Sequence, residues 1–242
     1  MHRETFDYRY IWSDEFDIAI LFGGGIMAMK NQGQEYEETI RDLLRRRNLL
    51  PASLGSNDAG FIHKGDAYYV EVKNLNAPDF GQKGLVWSPT TGWKWREEDI
   101  VTDLYTDLAV LDFIPKGFKP RRYTMPQNLL TSKDRSYDQA QFERSNITLG
   151  NVDCLYEYYA RKKCFYIQIE GKGFYYLKED VAGLGLPQFD ATLTLRLRAK
   201  THHSTPIHRY SFFAVIKPKM MEVALSKYDL EEKVGKFPPI RK

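Results

Sequence analysis

Glu71 and Lys73 close a run, Ala67 to Val72, that otherwise reads as a buried strand, and Asp58 stands a short connection upstream in "NDAGFIHKGDAYYVEVK". Charge at the end of an apolar strand asks for a chemical reason. Suppose that residues 61–63 and 66–72 pair as an antiparallel hairpin. A turn at Lys64-Gly65 then sets Asp58 opposite Glu71, and a turn at Gly65-Asp66 sets Asp58 opposite Lys73. In both registers the three side chains share one face, because side chains alternate along a strand. Opposed residues have Cβ atoms about 4.5–5.5 Å apart. Two bare carboxylates at that range repel each other and are costly to bury. A divalent cation removes both penalties, and Mg²⁺ takes one or two carboxylates while leaving positions for water and phosphate. The expected metal ligands are Asp58, Glu71 and the backbone carbonyl of Val72, with Mn²⁺ as a substitute ion. Lys73 is expected to hold or activate a water beside the metal, which polarises a phosphodiester and lowers the pKa of that water.

The elements that must position these groups are legible nearby. In "GQEYEETIRDLLRRRNLLP", Tyr36, Ile40, Leu43 and Leu44 fall at helical spacing, and Pro51 ends the pattern. Glu37 lies on the edge of that stripe and can reach the same site, whereas Glu38 faces away. Arg45, Arg46 and Arg47 complement the helix C-terminus. The Gly23-Gly24-Gly25 triplet lacks the spacing of a phosphate loop and reads as a flexible connection. "DFGQKGLVWSPTTGWKW" reads as a loop, and "REEDIVTDLYTDLAVLDFI" as a second helix whose tail could equally be a strand. Residues 116–150, with many charges and several prolines nearby, read as an inserted loop or linker. Beyond them the pattern turns to strands; "TLTLRLRAK" alternates, with Leu193, Leu195 and Leu197 on one face and Arg196 and Arg198 on the other.

Asp58 followed by Glu71-Val72-Lys73, with apolar residues from Tyr68 to Val70 before them, resembles the PD-(D/E)XK nuclease motif. "GQEYE", Gly33 to Glu37, resembles the helix that precedes the motif and often supplies an acidic residue. The likeness spans roughly residues 33–74 and is greatest to type II restriction endonucleases. One departure is Asn57, where the family usually has proline. The resemblance implies an α/β (α+β) fold, a mixed β-sheet flanked by helices, here with a further β-rich C-terminal part. It also implies Mg²⁺-dependent hydrolysis of DNA. Carried over, Asp58 and Glu71 bind metal, Lys73 positions the attacking water, and Glu37 assists from the helix. Residues 1–115 would be the catalytic core, and 151–242 a β-rich part that can complete it and contact DNA.

Other readings stay open. A lone Glu-x-Lys on a strand can be a weak surface ion pair. Asp153 with Glu170-Gly171-Lys172 spells a second copy of the pattern, but "EGKG" reads as a hairpin turn. No CxxC pairing accompanies the histidines of "KTHHSTPIHRY" to make a zinc site, and no nucleophile elbow accompanies Ser204. Candidate DNA contacts are Arg121, Arg122, Arg196, Arg198, Lys200, His202 and His203, of which one strand presents three cations in a row. The net charge of +3 permits an acidic partner without demanding one. Two cysteines give no disulfide framework, and the N-terminus lacks the grammar of a signal peptide, so a reduced cytoplasmic protein is expected, with no membrane partner and no organic cofactor. The expected activity is site-specific cleavage of double-stranded DNA by a homodimer. The alternatives are a structure-specific nuclease of the junction or repair type, or a non-catalytic nucleic-acid-binding module.

Overall fold

A computed structural model describes residues 32–52, 59–75, 79–150, 152–201 and 210–241. It is a mixed α/β structure with two sheets and several helices. The first sheet has the order β1 (Ala59–His63), β2 (Asp66–Lys73), β6 (Cys164–Ile169), β7 (Gly173–Tyr176). β1 and β2 are antiparallel, β2 and β6 parallel, and β6 and β7 antiparallel. The β1–β2 hairpin closes on Lys64-Gly65, with His63 paired to Asp66. Both turn residues have positive φ, 52° and 94°, the backbone twist that suits a two-residue hairpin.

The second sheet is antiparallel throughout. Its order is β4 (Gly92–Trp95), β3 (Phe80–Ser88), β9 (Tyr210–Pro218), β8 (Leu193–Thr201), β5 (Arg144–Gly150). β3 and β4 replace the loop expected over residues 79–95. Two of the glycines that suggested a loop serve close packing, since a Cβ at Gly81 would press on Val101 and one at Gly84 would stand 3.3 Å from the Arg96 side chain, while Gly92 takes φ 68° in open space. Residues 116–150, expected as an inserted loop or linker, hold α3 (Arg121–Thr124), α4 (Ser132–Phe142) and β5, which pairs with β8. α4 starts in a capping box between Thr131 and Asp134, a local signal inside a stretch dominated by charge.

α1 (Gln32–Arg46) buries its expected stripe, Tyr36, Ile40, Leu43 and Leu44. It stops short of Pro51. Asn48 takes φ 54°, and Leu49 N–H bonds back to the Leu44 carbonyl, a left-handed cap. α2 (Ile100–Asp107) is shorter than the periodicity suggested, because Ala109 turns left-handed at φ 51° and a 3₁₀ turn, Val110–Phe113, follows. α5 (Asp153–Arg161) leads into β6.

The two faces of the first sheet lie in different cores. Val70, Tyr166 and Phe174 pack with α1 in one cluster. Ile167, Ile169 and Tyr175 join the larger cluster, shared with the second sheet, α2 and α5. A buried polar joint fastens α1 to the first group. Gln168, with no exposure, donates to Tyr36 Oη (3.0 Å) and Asp229 Oδ1 (2.8 Å) and accepts from Leu230 N (3.1 Å). Satisfied networks of this kind fix one arrangement, and this one fixes the helix that carries Glu37. Among the described residues no helix is long and apolar enough to cross a membrane.

Candidate functional site

Strand β2 places Glu71 and Lys73 beside Ile167 and Ile169 of β6, so both charged side chains look towards the larger core. Lys73 Nζ stands 2.8 Å from Glu71 Oε1, and the side chains keep only 20% and 23% of their exposure. The Lys73 ammonium also lies 5.0 Å from the centroid of the Phe80 ring. Burial is the largest influence on Glu71 and pushes its carboxyl up. The Lys73 ammonium outweighs it, with help from Lys162 and the Tyr159 hydroxyl, and the carboxyl ends below its ordinary value. Burial likewise pushes Lys73 down, and Glu71, aided by Tyr158 and Glu37, raises it above the ordinary lysine value.

These signs set a pH dependence. The Glu71 carboxyl is depressed on folding, so its stabilisation is present above its ordinary value of 4.5 and is lost as pH falls through the folded value. Lys73 is raised, so its share is present below 10.5 and is lost as pH rises through its folded value. The gap in urea-unfolding free energy between the natural chain and Glu71→Gln is expected to stay level at neutral pH and to shrink in acid below pH 4.5. A gap unchanged into strong acid would refute the pairing.

The pair opens into a cleft of about 540 Å³. Its walls come from α1 (Gly33, Gln34, Glu37), from β2 (Tyr69 to Lys73) and from the second sheet (Gly81, Gln82, Arg198, Lys200). Ala59, Asn74 and Asp79, with Lys162 and Cys164 at the junction of α5 and β6, complete it. Burial, then the Glu71 charge, pushes the Cys164 thiol up to about 12, so it is a neutral wall and not a nucleophile. Val72 turns its side chain towards the α1 cluster. The Lys73 carbonyl accepts from Glu170 N at 3.0 Å, on the β6 side. Carbonyls alternate along a strand, so that of Val72 turns away from β6, towards the β1 edge.

The basic wall is held by α4. Gln139 Nε2 donates to the Ala199 carbonyl (3.1 Å), and Ala199 N donates to Glu143 Oε1 (2.9 Å). Both backbone groups of the residue between Arg198 and Lys200 are thereby satisfied by α4 and its C-terminal cap residue Glu143, beyond the last β5 pairing at Leu197. Arg198 is pushed below its ordinary pKa by burial and then by Arg196, with Asp79 and Glu143 opposing.

Of the residues expected from sequence, Glu37, Glu71, Lys73, Arg198 and Lys200 meet in this cleft, with Val72 in its wall. Arg196 shares the strand face of Arg198 and is exposed. Arg121 and Arg122 sit on α3, where Arg121 pairs with Asp134 at 2.8 Å and Arg122 Nε donates to the Tyr210 carbonyl at 3.1 Å. Asp58, His202 and His203 lie outside the described residues. The hairpin register is the one in which Asp58 was expected to face Glu71. Asp153 and the Glu170-Gly171-Lys172 turn have no part in the cleft lining, and the turn joins β6 to β7. Lys162 reads from sequence as part of a solvated basic run, Arg161 to Lys163, and Tyr159 was missed; the available signal was a lysine after a Tyr-Tyr helix end, just ahead of the strand that pairs with β2.

Oxygen donors suit Mg²⁺, and the Glu71 and Glu37 carboxylates with the Val72 carbonyl are a donor set of that chemistry. Among the described residues no cluster of three or more His, Cys, Asp or Glu side chains is gathered as a metal site. Comparison with family models, with curated proteins and with solved structures finds no match.

Proposed function

We propose that this chain is a Mg²⁺-dependent endonuclease of the PD-(D/E)XK type, cutting double-stranded DNA at a defined site as a homodimer. The observation that carries the reading is the placing of Glu71-Val72-Lys73 on an inner strand of a mixed sheet, with the charged pair turned into a cleft. Energetics support it. Beside Ile167 and Ile169, a pair of apolar side chains would cost no desolvation, and ion pairs of low exposure are seldom the more stable choice. Keeping carboxylate and ammonium there makes sense if they are needed for chemistry.

In this reading Glu71, Glu37 and the Val72 carbonyl would hold the metal, with Asp58 as the further ligand expected from the sequence. Such an ion would supply Lewis acidity, polarising the phosphodiester and lowering the pKa of a water. Lys73 holds that water by donating to its oxygen, and its raised pKa keeps it a donor at neutral pH. Arg198 and Lys200 face the pair from the second sheet, where a nucleic-acid backbone would need counter-charge. The second sheet also supplies the additional body of protein that site selection requires beyond the hydrolytic core.

The test is incubation of supercoiled plasmid with Mg²⁺, followed on a gel. Discrete bands are the expected result. A smear would replace site selection with non-specific cutting, and preference for branched substrates would favour a junction or repair nuclease. Intact plasmid in both Mg²⁺ and Mn²⁺ would remove hydrolysis and leave a nucleic-acid-binding module.

A further inference from the structure

Three cations of the cleft lie outside the Glu71–Lys73 pair. Lys162 follows α5, with Nζ 5.3 Å from the Tyr158 ring centroid and 5.7 Å from that of Tyr159. The two rings, a hydrogen bond to the Tyr158 side chain and the nearby Glu71 charge hold the ammonium in place, and its remaining hydrogens can donate. Arg198 and Lys200 enter from β8, in the other sheet. The carboxylates in the same walls are Glu37, Glu71 and Asp79; Glu71 is engaged by Lys73 with Lys162 nearby, and Asp79 Oδ1 has Lys217 Nζ at 2.8 Å. Among the described residues of the lining four cations, Lys73, Lys162, Arg198 and Lys200, stand against these three carboxylates, a small positive surplus whose field low-dielectric walls concentrate. The downward push on Arg198 has the sign expected of a half-buried cation with incomplete counter-charge.

We propose that Lys162, Arg198 and Lys200 form a metal-independent binding site for the phosphate backbone of duplex DNA, gripping it from both sheets. The choice of ligand rests on the nuclease reading, and Lys162 is added to it by position in the fold, since the D…E-x-K pattern does not include it. A phosphate contact works by charge and releases a counterion, so it acts on all sequences alike and shows as salt dependence.

The experiment is fluorescence anisotropy of a labelled duplex with the full chain in EDTA, across a salt series. Lys162→Gln and Arg198→Gln are each expected to lower the log–log salt slope by about one and to weaken binding roughly tenfold at low salt. Lys162→Arg, which keeps the charge, is expected to hold the natural slope. Slopes and affinities in both glutamine variants within about twofold of the natural chain, with unchanged thermal melts, would overturn the site. Should Lys162→Gln not fold, Arg198→Gln carries the same test. The two proposals fail separately. A chain that binds with these slopes in EDTA but leaves plasmid intact in Mg²⁺ keeps the phosphate site and loses hydrolysis, whereas cleavage with unaltered slopes does the reverse.

Discussion

Lys73→Ala is expected to slow Mg²⁺-dependent plasmid cleavage by about 10²–10⁴-fold, the range associated with loss of a positioned proton-handling group. The expectation follows from where the ammonium sits. It is 2.8 Å from the carboxylate that would hold the metal and is one-fifth exposed, so no bulk cation reproduces its position. The substitution has a second consequence. Burial is the strongest influence on Glu71 and acts upward, and without Lys73 only Lys162 and Tyr159 oppose it, so the Glu71 carboxyl titrates higher. Part of the loss should then be recovered at higher pH, where the carboxylate is restored, and part should not, because the water has lost its donor. Lys73→Arg keeps the charge but spreads it over a planar fork that does not present one donor at the same point, and is expected to recover little. The measurement is the single-turnover rate against pH for the three proteins, with thermal melts to show that each is folded. Cleavage by Lys73→Ala within tenfold of the natural rate at all pH values, about 1.4 kcal/mol in barrier, would show that Lys73 is only a structural partner of Glu71.

The parts of this arrangement that short-range rules govern were legible in the sequence. The hairpin is closed by Lys64-Gly65, a pair able to take positive φ, and the alternation around it then settles which side chains share a face. The α1 stripe and the Leu193, Leu195, Leu197 face are equally local, and all seven side chains are buried. Glu37 at the stripe edge and exposed Glu38 follow from the same 3.6-residue period. What was not legible depends on partners far along the chain. β2 pairs with β6 across about ninety residues, and no local pattern encodes that register. Lys162 reads as one more surface cation until that pairing brings it to Glu71. β3 was hidden because its glycines and tryptophan belong to a twisted, closely approached strand and not to a loop. In residues 116–150 the helices are short and bury few side chains, so hydrophobic periodicity, the usual signal, is nearly absent there.

The largest loss of stability is expected at Asp138, a fully buried carboxylate on α4. It accepts from Arg121 N (2.9 Å), Arg122 N (3.0 Å) and Tyr210 Oη (2.6 Å). The first two are the orphan donors that open α3, where Pro120 has no side-chain oxygen to cap them. The third anchors the first residue of β9. Asp138→Ala would leave one buried and two part-buried donors without an acceptor and a small void, a cost of about 3–5 kcal/mol. Asp138→Asn keeps the shape but turns donor hydrogens towards donors, so it is expected to lose about 2 kcal/mol or more. Urea unfolding of the three proteins measures both values, and a loss below about 1 kcal/mol for alanine would show that water reaches these groups. The effect reaches the cleft by a traceable route. α4 also holds both backbone groups of Ala199, between Arg198 and Lys200. A loosened α4 is therefore expected to weaken DNA binding in EDTA without altering its salt slope, because the charges remain and only their positions blur. Lys162→Gln does the opposite, removing a charge while leaving the frame intact, so the two variants separate the positioning of the basic wall from its charge.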